Sequence, residues 1–398
     1  MDTPIEVKIG QLVMAGIPGP TVAADARHLI RDLHVGNVIL MGRNVESPAQ
    51  VLALTRDLQE LALAAHGLPL LIATDQEGGQ VQRLNTAAGF LGLPSAAAVG
   101  ACRSPEAIRR YARAAGEEMH AVGVNVAFAP VLDVADNPNN PVIGRRGRSF
   151  GSTPQAVAAA AIPFIRGLRD AGVLATAKHF PGHGSTTQDS HRSLPTVAKD
   201  RAALAEVELP PFQRAIVDGI DLILTAHVTY PALDPAGTPA TLSRPTLDDL
   251  LRRDLGFPGL IVTDDLEMAG IARLVPPAEA AVCAIEAGAD LVLCVRKRPS
   301  LRRSDVVESI VSALREAVRV GRLSPEPIDE SFRRIVELKT RHALGPPTGD
   351  DLDRIGGADH RRALADLGVG QSHEDAVSVR RVIRDFGDRA RSRRGLPA

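Results

Sequence analysis

The chain has no tryptophan, two tyrosines and nine phenylalanines in 398 residues. So few aromatic rings leave little with which to stack bases along a nucleic acid. They also argue against a long sugar cleft paved with rings. An excess of one charge is lacking too: 46 Lys and Arg stand against 47 Asp and Glu, a formal net charge of -1. No global basic field therefore draws the chain to nucleic acid or to an acidic membrane. Its three cysteines, Cys102, Cys283 and Cys294, are odd in number and far apart. That argues against a disulfide framework or a Cys-based zinc site and fits a reducing compartment. No apolar run approaches the roughly 18 residues that span a bilayer. The start, Met1-Asp2-Thr3-Pro4-Ile5-Glu6, has no basic region leading into an apolar one, the mark of a signal peptide. The expectation is a soluble, cytoplasmic protein with neither nucleic acid nor membrane among its partners.

What is present is an ordinary globular composition, 44% hydrophobic and 23% charged, in a chain long enough for a large core. Eight short runs rich in Val, Ile, Leu and Ala recur at 11–16, 37–41, 69–74, 124–129, 173–177, 221–225, 259–263 and 290–294. They lack polar alternation, as strands buried on both faces do. Most intervals carry helical periodicity: 47–65, 104–122, 153–171, 204–218, 244–254 and 278–287. Ser47 reads as an N-cap, and Ser104-Pro105-Glu106 as cap, first-turn proline and acidic first turn. Repeated strand–helix units imply parallel strands, and eight of them predict a (β/α)8 TIM-type barrel. A doubly wound open sheet is the rival. Two amphipathic helices, 306–320 and 326–342, close a catalytic domain over 1–345. Residues 346–398 form a C-terminal extension, weakly ordered or helical. Its basic end, 389–394, reads as a solvated tail.

A barrel puts its functional residues just after the C-terminal ends of several strands. Five run ends here are polar: Asp75-Gln76-Glu77-Gly78-Gly79 after the third, Asp133 after the fourth, Lys178-His179 after the fifth, His227 after the sixth and Asp264-Asp265 after the seventh. Asp264 suits a nucleophile at an anomeric carbon, or a helix cap. Asp189 and His191 are two apart in a glycine-rich loop. They suit a general acid/base pair in which the carboxylate orients the imidazole, or a loop-stabilising turn beside a surface histidine. His179, His183, Asp189 and His191 could instead ligate zinc, although the spacing is irregular. Asp75 and Glu77 can accept hydrogen bonds from sugar hydroxyls. Arg83, Arg148 and Lys178 supply cationic donors.

The densest stretch is Lys178-His179-Phe180-Pro181-Gly182-His183-Gly184, followed by Asp189-Ser190-His191. With Ile9-Gly10-Gln11-Leu12-Val13-Met14, the Asp75–Arg83 segment, Arg148-Ser149-Phe150-Gly151 and Val262-Thr263-Asp264-Asp265-Leu266-Glu267-Met268, it closely resembles the glycoside hydrolase family 3 β-N-acetylhexosaminidases. The resemblance covers residues 7–345. It implies a retaining enzyme with Asp264 as nucleophile and His191, paired with Asp189, as acid/base. Asp75, Arg83, Arg148, Lys178 and His179 would bind N-acetylglucosamine, and no metal or cofactor is needed. It implies a glycoside or muropeptide substrate from cell-wall recycling. Phosphorolysis and β-glucosidase activity are the alternatives within the family; a sugar-binding protein and a metal-dependent hydrolase are those outside it.

This chain departs from the family pattern at Gln80, at Ser185 and in the lengthened Gly144-Arg145-Arg146-Gly147-Arg148 segment, where Arg148 is favoured because Ser149-Phe150-Gly151 follows it. The central motif thus divides into a rigid binding half, Lys178-His179, and an outer half, Asp189 to His191, that must close over Asp264.

Overall fold

The computed structural model describes residues 3–295 and 304–369. The basic stretch 389–394 lies outside the described residues. Eight strands, β1 Val13–Gly16, β2 Asn37–Leu40, β3 Leu71–Thr74, β4 Val126–Ala127, β5 Leu174–Phe180, β6 Leu222–Thr225, β7 Leu260–Val262 and β8 Val292–Cys294, fall within or overlap the eight apolar runs. Each is fully buried, because its inner face fills the barrel and its outer face meets the helices. All pairings are parallel and the spatial order is β8-β1-β2-β3-β4-β5-β6-β7. A bridge between Val262 and Leu291 joins the two ends of that order. The sheet therefore closes as a (β/α)8 barrel, and the open doubly wound alternative falls.

The helices start where capping chemistry places them. Ser47, Ser104 and Thr153 each accept the amide three residues on and each is followed by proline. These begin Pro48–His66, Pro105–Ala121 and Pro154–Asp170. The helix expected over 204–218 is two, Arg201–Glu206 and Leu209–Val217. Pro210 and Pro211 have no amide hydrogen to continue a helix but are tolerated in a first turn. Pro245–Asp254 winds in π-type turns. The helices Ile5–Gln11 and Ala24–Arg31 were not anticipated; both are short and neither has a side-chain cap.

Residues after Gly345 lie on the barrel as far as they are described. Leu352, Ile355, Leu364 and Val369 lean on the core and Leu367 is buried in it. The helix Ala358–Ala365 sets His360 between Glu117 and Glu118, at 3.2 and 3.0 Å.

Candidate active site

The site lies at the C-terminal mouth of the barrel, in a cleft of about 240 Å3. Its floor is an ion cluster. Asp75 directly follows β3, and a small hairpin, Gln76–Gly78 with Val81–Gln82, carries Glu77. The hairpin turns on Gly78, whose φ of +93° suits glycine and where a Cβ would stand 2.1 Å from the Pro94 carbonyl oxygen. Arg148 grips both Glu77 oxygens, Nε to Oε2 at 2.7 Å and Nη2 to Oε1 at 2.8 Å. Lys178 Nζ bridges Glu77 Oε1 at 2.6 Å and Asp75 Oδ1 at 3.0 Å. Arg83 Nη2 reaches Asp75 Oδ2 at 3.0 Å. Burial alone would push Glu77 up, but Arg148 and Lys178 outweigh it and hold the carboxyl down at about 2. Asp75, likewise opposed by burial, is held below the usual carboxylate range by Lys178 and Arg83. Both Glu77 oxygens are thus engaged by cations, and Glu77 is the counter-charge that aims Arg148 and Lys178.

Lys178 and His179 are consecutive, and neighbouring side chains of a regular strand face opposite ways. Both nevertheless line the cleft. The β5–β6 register shifts between Lys178 and Phe180, and such an irregularity re-aims a side chain. Asp133, fully buried, accepts the backbone amides of His179 at 3.1 Å and His183 at 2.6 Å, and meets His179 Nδ1 at 2.7 Å. The imidazole of His179 thus turns Nε2 toward the cleft, 3.5 Å from Arg148 Nη2. The sequence marked Asp133 only as one of five polar strand ends; its partners arrive 46 and 50 residues later.

Asp264 sits two residues past β7, and its Oδ1 accepts the Asp265 amide at 2.7 Å. Burial opposes its ionisation, yet His227, His179, the Asp265 amide and His191 together hold it at about 2. Asp265 is buried and ties the chain to the end of β8, accepting the Val295 amide at 3.0 Å. Neither caps the next helix, Ala269–Ala272, whose N-cap is Met268.

On the outer side, the His191 amide and Nδ1 both lie 2.9 Å from Asp189 Oδ1. His191 lines the same cleft as Asp264, and Asp189 stands behind it. Seven of the eight residues singled out above line this one cleft, namely Asp75, Arg83, Arg148, Lys178, His179, His191 and Asp264. The proposed zinc set does not converge. His183 commits its ring nitrogens to Thr186 Oγ1 and Ser190 Oγ, at 2.8 and 2.9 Å, and burial pushes its pKa down to about 4. His179 and His191 each turn Nδ1 to an aspartate.

The departures also find places. Gln80 and Arg146 line the cleft, while the Arg145 guanidinium turns out to Asn139. Ser185 hydrogen-bonds to Asp136 and Glu208, which Lys199 also bridges.

Residues 4–338 match the glycosyl hydrolase family 3 N-terminal domain. The chain belongs to glycosyl hydrolase family 3. Within it, β-hexosaminidase A of Pseudoalteromonas piscicida is 37% identical over 370 residues, covering 88% of this chain and 60% of that protein. A family 3 β-N-acetylglucosaminidase from Paenibacillus has 46% identity and a TM-score of 0.82, over 86% of this chain and 63% of the other. The chain thus spans about three fifths of these two relatives. A β-N-acetylhexosaminidase from Beutenbergia cavernae has 35% identity and a TM-score of 0.78, and 99% of it is covered by 85% of this chain.

Proposed function

We propose that the chain is a retaining β-N-acetylhexosaminidase that removes terminal β-linked N-acetylglucosamine. The observation that carries the reading is the convergence of an aspartate held ionised, Asp264, and an Asp189-oriented imidazole, His191, on one cleft floored by Asp75, Arg83, Arg148, Lys178 and His179. The names of the relatives agree with it.

Asp75, Arg83, Arg148, Lys178 and His179 hold the sugar by its hydroxyls and acetamido group. Asp264 attacks the anomeric carbon as the bond to the leaving oxygen breaks, and the His191 imidazolium gives that oxygen its proton. The products are the free aglycone and a glycosyl ester of Asp264. Water then attacks the same carbon, His191 takes its proton, and the ester bond returns its electrons to Asp264. Two inversions give net retention. Asp189 orients the ring through Nδ1.

Muropeptide fragments as natural substrates, and with them a cytoplasmic site of action, rest on the family resemblance. Release of N-acetylglucosamine from a purified muropeptide tests that part. The central test is turnover of an aryl N-acetyl-β-glucosaminide. It should exceed that of the aryl glucoside and be indifferent to added phosphate. Asp264→Ala should reduce it by roughly 10⁴-fold or more, in the range removal of a covalent nucleophile produces. Near-normal turnover by that variant sinks the assignment, and a phosphate requirement shifts it to phosphorolysis.

A further inference from the structure

The two residues that flank His191 are both held by the segment that follows Asp264. The Ser190 carbonyl accepts the Gly270 amide at 3.1 Å. The Arg192 carbonyl accepts Arg273 Nη1 at 2.9 Å. Gly270 lies in the short helix Ala269–Ala272 and Arg273 caps its end. From the inner side His183 Nε2 meets Ser190 Oγ at 2.9 Å. The backbone on each side of His191 is therefore tied at one carbonyl to the segment that follows Asp264.

Gly270 is not demanded by local conformation. Its φ is not positive, and inside a helix glycine is less favourable than alanine by about 1 kcal/mol. What demands it is the loop: a Cβ at 270 would stand 2.5 Å from the Ser190 carbonyl oxygen and 2.9 Å from that of Ser193. Arg273 is exposed, yet its guanidinium reaches a carbonyl of this loop.

We propose that Gly270 and Arg273 are positioning residues: they clasp the loop at 190 and 192 and set His191 at proton-transfer reach of a leaving group held over Asp264. The inference rests on His191 being the acid/base. Because the clasp leaves the barrel on the same segment as Asp264, the proton donor is indexed to the nucleophile and not to the loop's own distant root at β5. Proton transfer needs hydrogen-bond reach, and an error of about 1 Å in such placement can cost 100-fold.

The test compares two aryl N-acetyl-β-glucosaminides, one with phenol and one with 2,4-dinitrophenol as leaving group. kcat/KM reports the first step, and dinitrophenolate departs with little help from an acid. Gly270→Ala should lose roughly ten-fold or more on the phenyl substrate and no more than about three-fold on the dinitrophenyl one. Arg273→Met, at an exposed site, should fall severalfold on phenyl alone. Circular dichroism should match the parent for both variants. The melting temperature should fall for Gly270→Ala, whose Cβ meets two backbone carbonyls, and stay with the parent for Arg273→Met, which keeps the kinetic comparison clear of unfolding. Equal losses on both substrates, or no loss, overturn the clasp. His191→Ala is the reference. If it separates the two substrates and the clasp variants do not, the clasp alone fails. If His191→Ala does not separate them, the acid/base reading falls and the clasp with it.

Discussion

Glu77 shows how much a single residue can contribute by aiming its neighbours. It is 6% exposed and pairs with two buried cations, Arg148 and Lys178, the second of which it shares with Asp75. Removing one partner of a buried pair leaves the others desolvated and uncompensated, which typically costs about 3–5 kcal/mol. Glu77→Ala should lose stability of that order in urea unfolding at neutral pH, and KM should rise as Arg148 and Lys178 lose their aim. The pH dependence has a definite sign. Glu77 is depressed from 4.5 to about 2 when folded, so its contribution is present above 4.5 and is lost as pH falls toward 2. The gap between parent and variant should therefore narrow at pH 3. Sequence inspection offered Glu77 as a candidate acceptor for sugar hydroxyls and did not see its ion pairs, because its partners lie 71 and 101 residues away. The same distance hid the work of Asp133. Asp264 and the Asp189–His191 pair were picked out because each stands in a short motif, although the histidines that hold Asp264 ionised come from other strands and loops.

At the scale of elements the reading from sequence reached furthest. Strands buried on both faces and helices opened by Ser-Pro or Thr-Pro are consequences of nearest neighbours, and all eight strands stand at or within the apolar runs. These caps are independent of the site, so Ser104→Ala should cost about 1 kcal/mol in chemical denaturation and leave kcat/KM unchanged. A kinetic effect would mean that the helix Pro105–Ala121 reaches the cleft. What the pattern missed has identifiable causes. The break at Val207 and Glu208 is set by two prolines two residues further on, and the register shift in β5 leaves no mark in residue type. The loop beyond Pro181 was expected to need closing over Asp264; in the structure its His191 already lines the Asp264 cleft.

For the whole molecule, residues 346–369 form a strap across the outside of the barrel. His360 reaches Glu117 and Glu118; Glu117 also holds Arg113 at 2.9 Å and Arg354 at 3.3 Å, and Glu118 accepts the Leu91 and Gly356 amides. Hydrogen bonding to Glu118, against burial, raises the His360 pKa above 6.5. A histidine raised on folding stabilises fully below its unfolded pKa and loses that contribution as pH rises through the folded one. His360→Ala should thus destabilise by about 2 kcal/mol at pH 6 and by less at pH 9, read as the difference in melting temperature at the two pH values. Equal shifts would mean that His360 acts by packing alone.

By itself, then, the sequence determined the barrel, the starts of the longer helices and the residue types of the cleft, and its motifs carried the resemblance to the family. Those follow from periodicity, capping and motif chemistry acting over a few residues. Only the tertiary structure decided which polar group answers which: Glu77 to Arg148 and Lys178, Asp133 to His179, and the Ser190 and Arg192 carbonyls to Gly270 and Arg273. These pairings join segments tens of residues apart. They exist only once barrel closure has brought the strand ends to one mouth, and burial there gives the charges of Glu77, Arg148, Lys178 and Asp133 their partners.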